Sequence, residues 1–211
     1  MAGRREDQGL LTGSTPFVRD MPHDDCAHVV FVRSHVAAGV IERIDASHAE
    51  RLDGVHAVLV ASDLGLAPFS FFTPVPDDVA RPPMADGEVR MAGELLAAVV
   101  ADTAAHAMDA AELVEVDIVA AEPVIDPRAA VRPEAAAVFA RPGGNVVMSY
   151  DKGRIDDLFE LAAHVERGSY PNQRLASAPM ESCGAIAHRI GRRIRKLPSH
   201  PCLMRFWNEQ R

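Results

Sequence analysis

The sequence predicts an α/β (α+β) protein, and three observations in one stretch carry that prediction. Leu95 to Val100 (LLAAVV) is an uninterrupted apolar run of strand length, which suits a strand buried on both faces. Asp102 or Thr103 follows as the N-cap of a helix that carries Ala107, Ala111 and Val114 on one stripe and ends near Leu113. Val114, Val116 and Ile118 then alternate with Glu115 and Asp117, the period of a half-buried strand. If the two strands are parallel neighbours, the crossover joining them is right-handed.

The remaining elements follow in chain order. Residues 1–20 are polar and broken by Gly13 and Pro16, which reads as an extended arm and not a helix. His28 to Arg33 (HVVFVR) is a β-branched and aromatic run of strand length. Gly39 to Ile44 (GVIERI) alternates loosely and predicts a second strand. Asp45 as an N-cap and Gly54 as a C′ glycine bracket a short helix between Ala46 and Leu52. Val55 to Val60 (VHAVLV) is the next strand. Pro68, Pro74, Pro76, Pro82 and Pro83 forbid a continuous helix or central strand from Gly65 to Pro83. That long loop is a candidate contact surface; the plainer reading is a surface connection.

Beyond Ala121, Pro123, Pro127, Pro133 and a PGGN turn (Pro142 to Asn145) break the chain, which reads as a linker between domains. Val146 to Tyr150 has strand character. Asp156 to His164 places Leu158, Leu161 and Ala162 at helical spacing behind Asp156 as the cap. From His188 the acidic, alanine-rich chain turns basic: Arg189, Arg192, Arg193, Arg195, Lys196, Arg205 and Arg211 face one acid, Glu209. This end also holds Trp207 and shows no clear periodicity, so it reads as a disordered tail, with a nucleic-acid or anionic-lipid patch as the alternative.

The 211 residues suffice for a real core, and 48% hydrophobic with 25% charged residues is the composition of an ordinary globular protein. A net charge of −8 argues against a nucleic-acid partner. No apolar run is long enough to span a bilayer, and the charged start is not followed by a signal-type apolar segment. Cys26, Cys183 and Cys202 are odd in number and far apart, which fits a reducing cytoplasm better than a disulfide framework.

Motifs that could carry chemistry are sparse. His35 and His106 stand alone, and His200 with Cys202 is a close pair short of the four ligands that structural zinc requires. The PGGN turn lacks the lysine of a phosphate loop, and no GxSxG elbow is present. Glu94 and Glu181 each sit at the edge of an apolar run. Each is a conceivable catalytic carboxylate, but a solvated or backbone-capping role is the plainer reading. On these residues alone no catalytic, cofactor-binding or metal-binding residue is assigned.

The order of segments resembles a known family. Arg4 to Asp7 (RRED), Leu10 to Gly13 (LLTG), Phe17 and Asp20 resemble the opening of the molybdenum-binding large subunits of the xanthine dehydrogenase, aldehyde oxidase and carbon monoxide dehydrogenase family. Arg33, Ser34, Ala37, Ile41, Ile44, Asp45, Ala49, Gly54, Val55, Val58 and Asp63 match its next conserved stretch. VRMAGELLAAVVADTAAHAMDAAELVEVDI is similar to the family's V-R-Y-V-G-E-P-V-A-x-V-V-A segment with its following helix and strand. The GGN of Asn145 matches the linker, and NQRLASAPMESCGAIA resembles the segment that opens the cofactor-binding half. The departures are Leu95 and Leu96 for Pro and Val, a lost proline and histidine after Ser34, and Ser182 and Cys183 for Pro and Arg.

The resemblance implies an α/β hammerhead domain followed by a truncated start of the molybdenum-cofactor-binding domain. The expected partition is an arm at 1–20, the hammerhead at 21–130, a linker at 131–150, the truncated start at 151–187 and a basic non-family tail at 188–211. The pattern ends after Ala187, as a frameshift or truncated gene would leave it. The residues that hold the pterin and do the chemistry in the family lie beyond that point. The chain is therefore expected to bind no cofactor alone. Full-length relatives carry molybdopterin or molybdopterin cytosine dinucleotide, with iron–sulfur clusters and FAD on other subunits or domains that are its expected partners. A non-catalytic subunit-interaction protein using the hammerhead surface is the alternative.

Overall fold

The computed structural model describes residues 7–20, 26–69, 76–142, 144–150, 152–153, 155–170, 184–190 and 193–198. The chain divides into two compact units, one of Asp25–Asp157 and one of Met1–Asp24 with Leu158–Arg211.

In the second of these, α1 (Asp7–Thr12) is a helix where an extended arm was expected. Asp7 lies in its first turn, where a carboxylate favours the positive end of the helix. The Thr12 hydroxyl donates to the Gln8 carbonyl at 2.8 Å. Gly13, at φ +68°, ends the helix, so the breaker sets its length and does not prevent it.

The Asp25–Asp157 unit is built from β1 (His28–Arg33), β2 (Gly39–Asp45), β3 (Val55–Leu59), β4 (Glu88–Val89), β5 (Leu95–Ala101) and β6 (Glu115–Ala120). Its helices are α2 (Ala61–Leu64), α3 (Ala104–Glu112) and α4 (Pro127–Ala130). One sheet has the order β1-β5-β3 and the other β4-β2-β6, and every pairing is antiparallel. Odd-numbered strands thus fill one sheet and even-numbered strands the other.

β5 is the centre of the unit and is buried on both faces, as its apolar run predicts. Ala97 and Val99 join Ala49, Val58 and Ala110 in one core, while Leu96 joins Ala85 and Val89 in the other. Alanine on both β5 and α3 lets helix and sheet approach closely, which explains a core with few aromatics. Thr103 is the N-cap of α3: its side chain accepts from the His106 amide at 3.1 Å. β6 buries Val116 and Ile118 more than their neighbours, as the alternation predicts.

Several expectations are corrected. β5 and β6 are not parallel neighbours: β1 and β3 occupy both edges of β5, so β6 joins β2 in the other sheet. Between Ala46 and Leu52 there is only a 3-10 turn, Ala49–Arg51. Asp45 accepts from the Ser47 amide at 2.9 Å and so caps the turn locally, and Leu52 returns to an extended conformation that ends it after one turn. The proline-rich stretch contains a 3-10 turn at Asp77–Val79, and its residues 70–75 lie outside the described residues. Val146 to Tyr150 forms no strand, since no described strand pairs with it and apolar character alone does not make a ladder.

The helix expected over 156–164 is α5 (Asp156–Leu161). The basic tail is structured at its start. β7 (Ala185–Ile190) and β8 (Arg193–Pro198) form an antiparallel pair with Ala187 opposite Lys196 and Ile190 opposite Arg193. No helix among the described residues is long and apolar enough to cross a membrane.

Candidate functional site

A network of hydrogen bonds in the Asp25–Asp157 unit surrounds the turn that leads into β5. Gly93 adopts φ +82°, and Glu94 after it is 7% exposed. One Glu94 oxygen, Oε2, accepts from the Arg90 amide at 2.7 Å, while Oε1 is buried with no hydrogen-bond partner. Glu94 is thus a backbone cap, one of its two plainer readings, and is not solvated. Arg33 and Ser34 clamp the same turn from β1. The Arg33 guanidinium donates to the Gly93 carbonyl at 2.8 Å, and the Gly93 amide donates to the Ser34 carbonyl at 2.7 Å. The Ser34 amide returns a bond to the Glu94 carbonyl at 2.9 Å.

Arg90 stands beside this turn with its guanidinium 4.9 Å from the Phe139 ring centre, a cation–π distance. It pairs with Glu88 at 2.6 Å, and its Nε is buried without a partner. Arg90, Glu88, Gly39, Val40, Glu122 and Val138 help line a cleft of about 220 Å³. Gly39 is required there: a Cβ would fall 2.6 Å from the Val119 carbonyl oxygen.

Two further clusters hold the irregular segments. The Asn145 side chain accepts from the Val138 amide at 2.8 Å and donates to the carbonyls of Ala130 at 3.0 Å and Ala136 at 2.8 Å. Arg141 donates to Asp78 at 3.0 Å, tying the 3-10 turn of the proline-rich stretch to this loop. The sequence marked Asn145 as part of a turn and of the GGN linker match; its bonding depends on residues up to fifteen positions away, which no local pattern exposes.

At the C-terminal end of β5, Asp102 and His106 meet at 2.6 Å. The hydrogen bond from His106, and then its charge, hold the Asp102 carboxyl below the ordinary carboxylate range. Gly54 leaves room for this pair, since a Cβ there would collide with His106 Nδ1. On the other sheet Arg43 meets Asp45 at 2.8 Å, Asp117 at 3.0 Å and Glu115 at 3.4 Å. The Asp117 hydrogen bond is the main cause of the raised Arg43 pKa, while Asp45 is lowered chiefly by Ser47.

Of the other candidates, His35 lies in an exposed bend and Cys26 is a half-buried free thiol. Glu181, Cys183, His200 and Cys202 lie outside the described residues. Among the described residues no three His, Cys, Asp or Glu side chains converge on a metal-sized point. The ionisable lining of the cleft is Glu88, Glu122 and Arg90, and the arginine is already stacked and paired. Two carboxylates repel a phosphate-bearing pterin, so this lining does not fit that cofactor.

Comparison with known proteins gives a consistent answer. Residues 12–121 match the model of the aldehyde oxidase and xanthine dehydrogenase a/b hammerhead domain. The nicotine 6-hydroxylase large subunit of Paenarthrobacter nicotinovorans is 34% identical over 190 residues, 87% of this chain and 23% of that one. The carbon monoxide dehydrogenase large chain of Afipia carboxidovorans is 32% identical over 199 residues, again 87% of this chain and 24% of the relative. Quinoline 2-oxidoreductase from Pseudomonas putida 86 superposes with a TM-score of 0.74 at 32% identity, covering 88% of this chain and 24% of that one. A Cu,Mo-CO dehydrogenase gives 0.55 at 34% identity over 64% of this chain and 17% of its own. The chain spans about a quarter of the length of the curated relatives it matches. With over half its length matched, the chain belongs to the aldehyde oxidase and xanthine dehydrogenase family, through its a/b hammerhead domain.

Proposed function

We propose that this chain is the N-terminal scaffold of a molybdopterin-dependent hydroxylase large subunit, and that alone it neither holds the cofactor nor turns over substrate. The match of residues 12–121 to the hammerhead domain carries this reading. The names of the relatives support the enzyme class: they include nicotine 6-hydroxylase, carbon monoxide dehydrogenase and a probable xanthine dehydrogenase subunit. No described residue takes a catalytic role in this proposal. Glu94 is committed to the Arg90 amide, His106 to Asp102, and Arg90 to Glu88 and Phe139.

In this reading molybdopterin, or its cytosine dinucleotide, is held by polypeptide equivalent to the rest of a large subunit. Iron–sulfur clusters and FAD reside on partner subunits of a cytoplasmic complex. The large-subunit, large-chain and subunit-gamma names of the relatives support a multi-subunit setting. The test is metal analysis of the full chain purified from a host that makes the cofactor. Molybdenum at background is the expected result; one molybdenum per chain overturns the reading.

A second reading, a non-catalytic subunit-interaction protein, is favoured by apolar groups on the sheet surfaces. Val29 and Phe31 on β1 are 50% and 44% exposed, and Val40 faces Val119 across β2 and β6 with both about half exposed. Co-purification with iron–sulfur and FAD subunits, abolished by Phe31→Lys, is its expected signature.

A further inference from the structure

We infer that the ribbon of β7 (Ala185–Ile190) and β8 (Arg193–Pro198) is a docking surface for an anionic lipid bilayer. The inference goes beyond the function proposed above, whose supporting match ends at residue 121. Four of the chain's 22 basic residues, Arg189, Arg193, Arg195 and Lys196, lie on these two strands, and none of its 30 acids does. An acidic chain thus carries one wholly cationic element.

The strand register turns this composition into a surface. Opposed residues of an antiparallel pair share a face. Ile186 with Leu197, His188 with Arg195 and Ile190 with Arg193 therefore lie on one face, and Arg189 with Ile194 and Ala187 with Lys196 on the other. Each face combines cations with aliphatic residues. Ile186 is half-buried, while Ala185 and Ala187 are exposed. Among the described elements, β7 and β8 pack substantially only against each other. A lone two-stranded ribbon is marginally stable, so it gains from a surface that covers a face. The mixture of residues selects the occupant. An anionic bilayer attracts clustered Lys and Arg, and its headgroup boundary accepts their methylene stems and aliphatic neighbours. Nucleic-acid surfaces commonly add Asn, Gln, Ser or Thr for base edges, or Phe, Tyr or Trp rings for stacking, and neither strand contains any of these.

The test is flotation of the full chain with vesicles of phosphatidylcholine alone or mixed equally with phosphatidylglycerol. At least about tenfold more chain is expected to float with the anionic vesicles, and high salt is expected to release it. Arg193→Glu/Arg195→Glu is expected to lower binding at least about tenfold, and Arg193→Lys/Arg195→Lys to retain it. Arg51→Glu/Arg132→Glu makes the same change of net charge at exposed positions of the other unit and is expected to leave binding within about twofold. Equal flotation of the parent chain with both kinds of vesicle overturns the inference, whether or not the variants fold. Unchanged binding after the reversal at Arg193 and Arg195 also overturns it, as does an equal loss after the reversal at Arg51 and Arg132, which would report net charge alone. Tighter binding to duplex or single-stranded DNA than to the anionic vesicles overturns it in favour of a nucleic acid. Self-association in place of lipid binding, broken by the Arg193 and Arg195 reversal, overturns it in favour of a second copy of the chain.

Discussion

Three hydrogen bonds converge on the Asn145 amide and tie together a loop that has little regular structure. At a net value of about 1 kcal/mol each, Asn145→Ala is expected to cost about 2–3 kcal/mol in urea unfolding. Asn145→Asp keeps the acceptor but loses both donors, so it should recover less than half of that loss. Glu94 gives a sharper contrast. Glu94→Gln preserves the acceptor for the Arg90 amide and is expected to stay within about 1 kcal/mol of the parent, whereas Glu94→Ala strands a buried amide and costs about 1–3 kcal/mol. Asp102 carries a pH dependence. Its carboxyl is depressed in the folded chain, so its contribution is present above the unfolded value of about 3.9 and lost as pH falls through the folded one. Asp102→Asn should flatten the fall in stability as pH drops below the unfolded carboxylate value, measured by denaturation at each pH. The residues of this site were legible singly. Arg33, Ser34, Gly93 and Glu94 stand in recognisable motifs, but Arg33 and Gly93 meet across sixty positions of sequence, which only the folded sheet brings together.

Among the elements, β5 is the one whose loss is least tolerable. Leu96→Ala opens a cavity in a site that is 1% exposed and is expected to cost about 2–5 kcal/mol, a large share of the stability of a domain this size. Thr103→Ala removes the α3 cap and is expected to cost about 1 kcal/mol by the same measurement, with Thr103→Ser restoring it. The long, strongly patterned elements were readable: β1, β2, β3, β5, α3 and β6 fall within a residue or two of their expected bounds. The short ones were not. β4 is two residues long and exists because β2 offers an edge, so nothing in Glu88–Val89 alone announces it. The β7–β8 pair could have been read. Gly191-Arg192 between two isoleucine-containing runs is a two-residue hairpin signal, hidden by the shift to basic composition.

At the scale of the whole molecule, the buried apolar side chains among the described residues lie within Asp25–Asp157. Brief proteolysis of the full chain is expected to leave a resistant fragment close to those limits by mass spectrometry, with early cuts among the exposed residues 158–170. Fold class was legible at this scale because the strand and helix runs are strong; pairing order was not, because it is decided by which edges remain open. The division of odd and even strands between two sheets has a temporal consequence. HVVFVR is synthesised some sixty residues before its mate LLAAVVA. At ~5–20 residues per second the ribosome presents the first of them for roughly 3–12 s before the second exists. Such a contact map folds slowly. A nascent hammerhead thus carries an unpaired, β-branched strand edge for those seconds of translation.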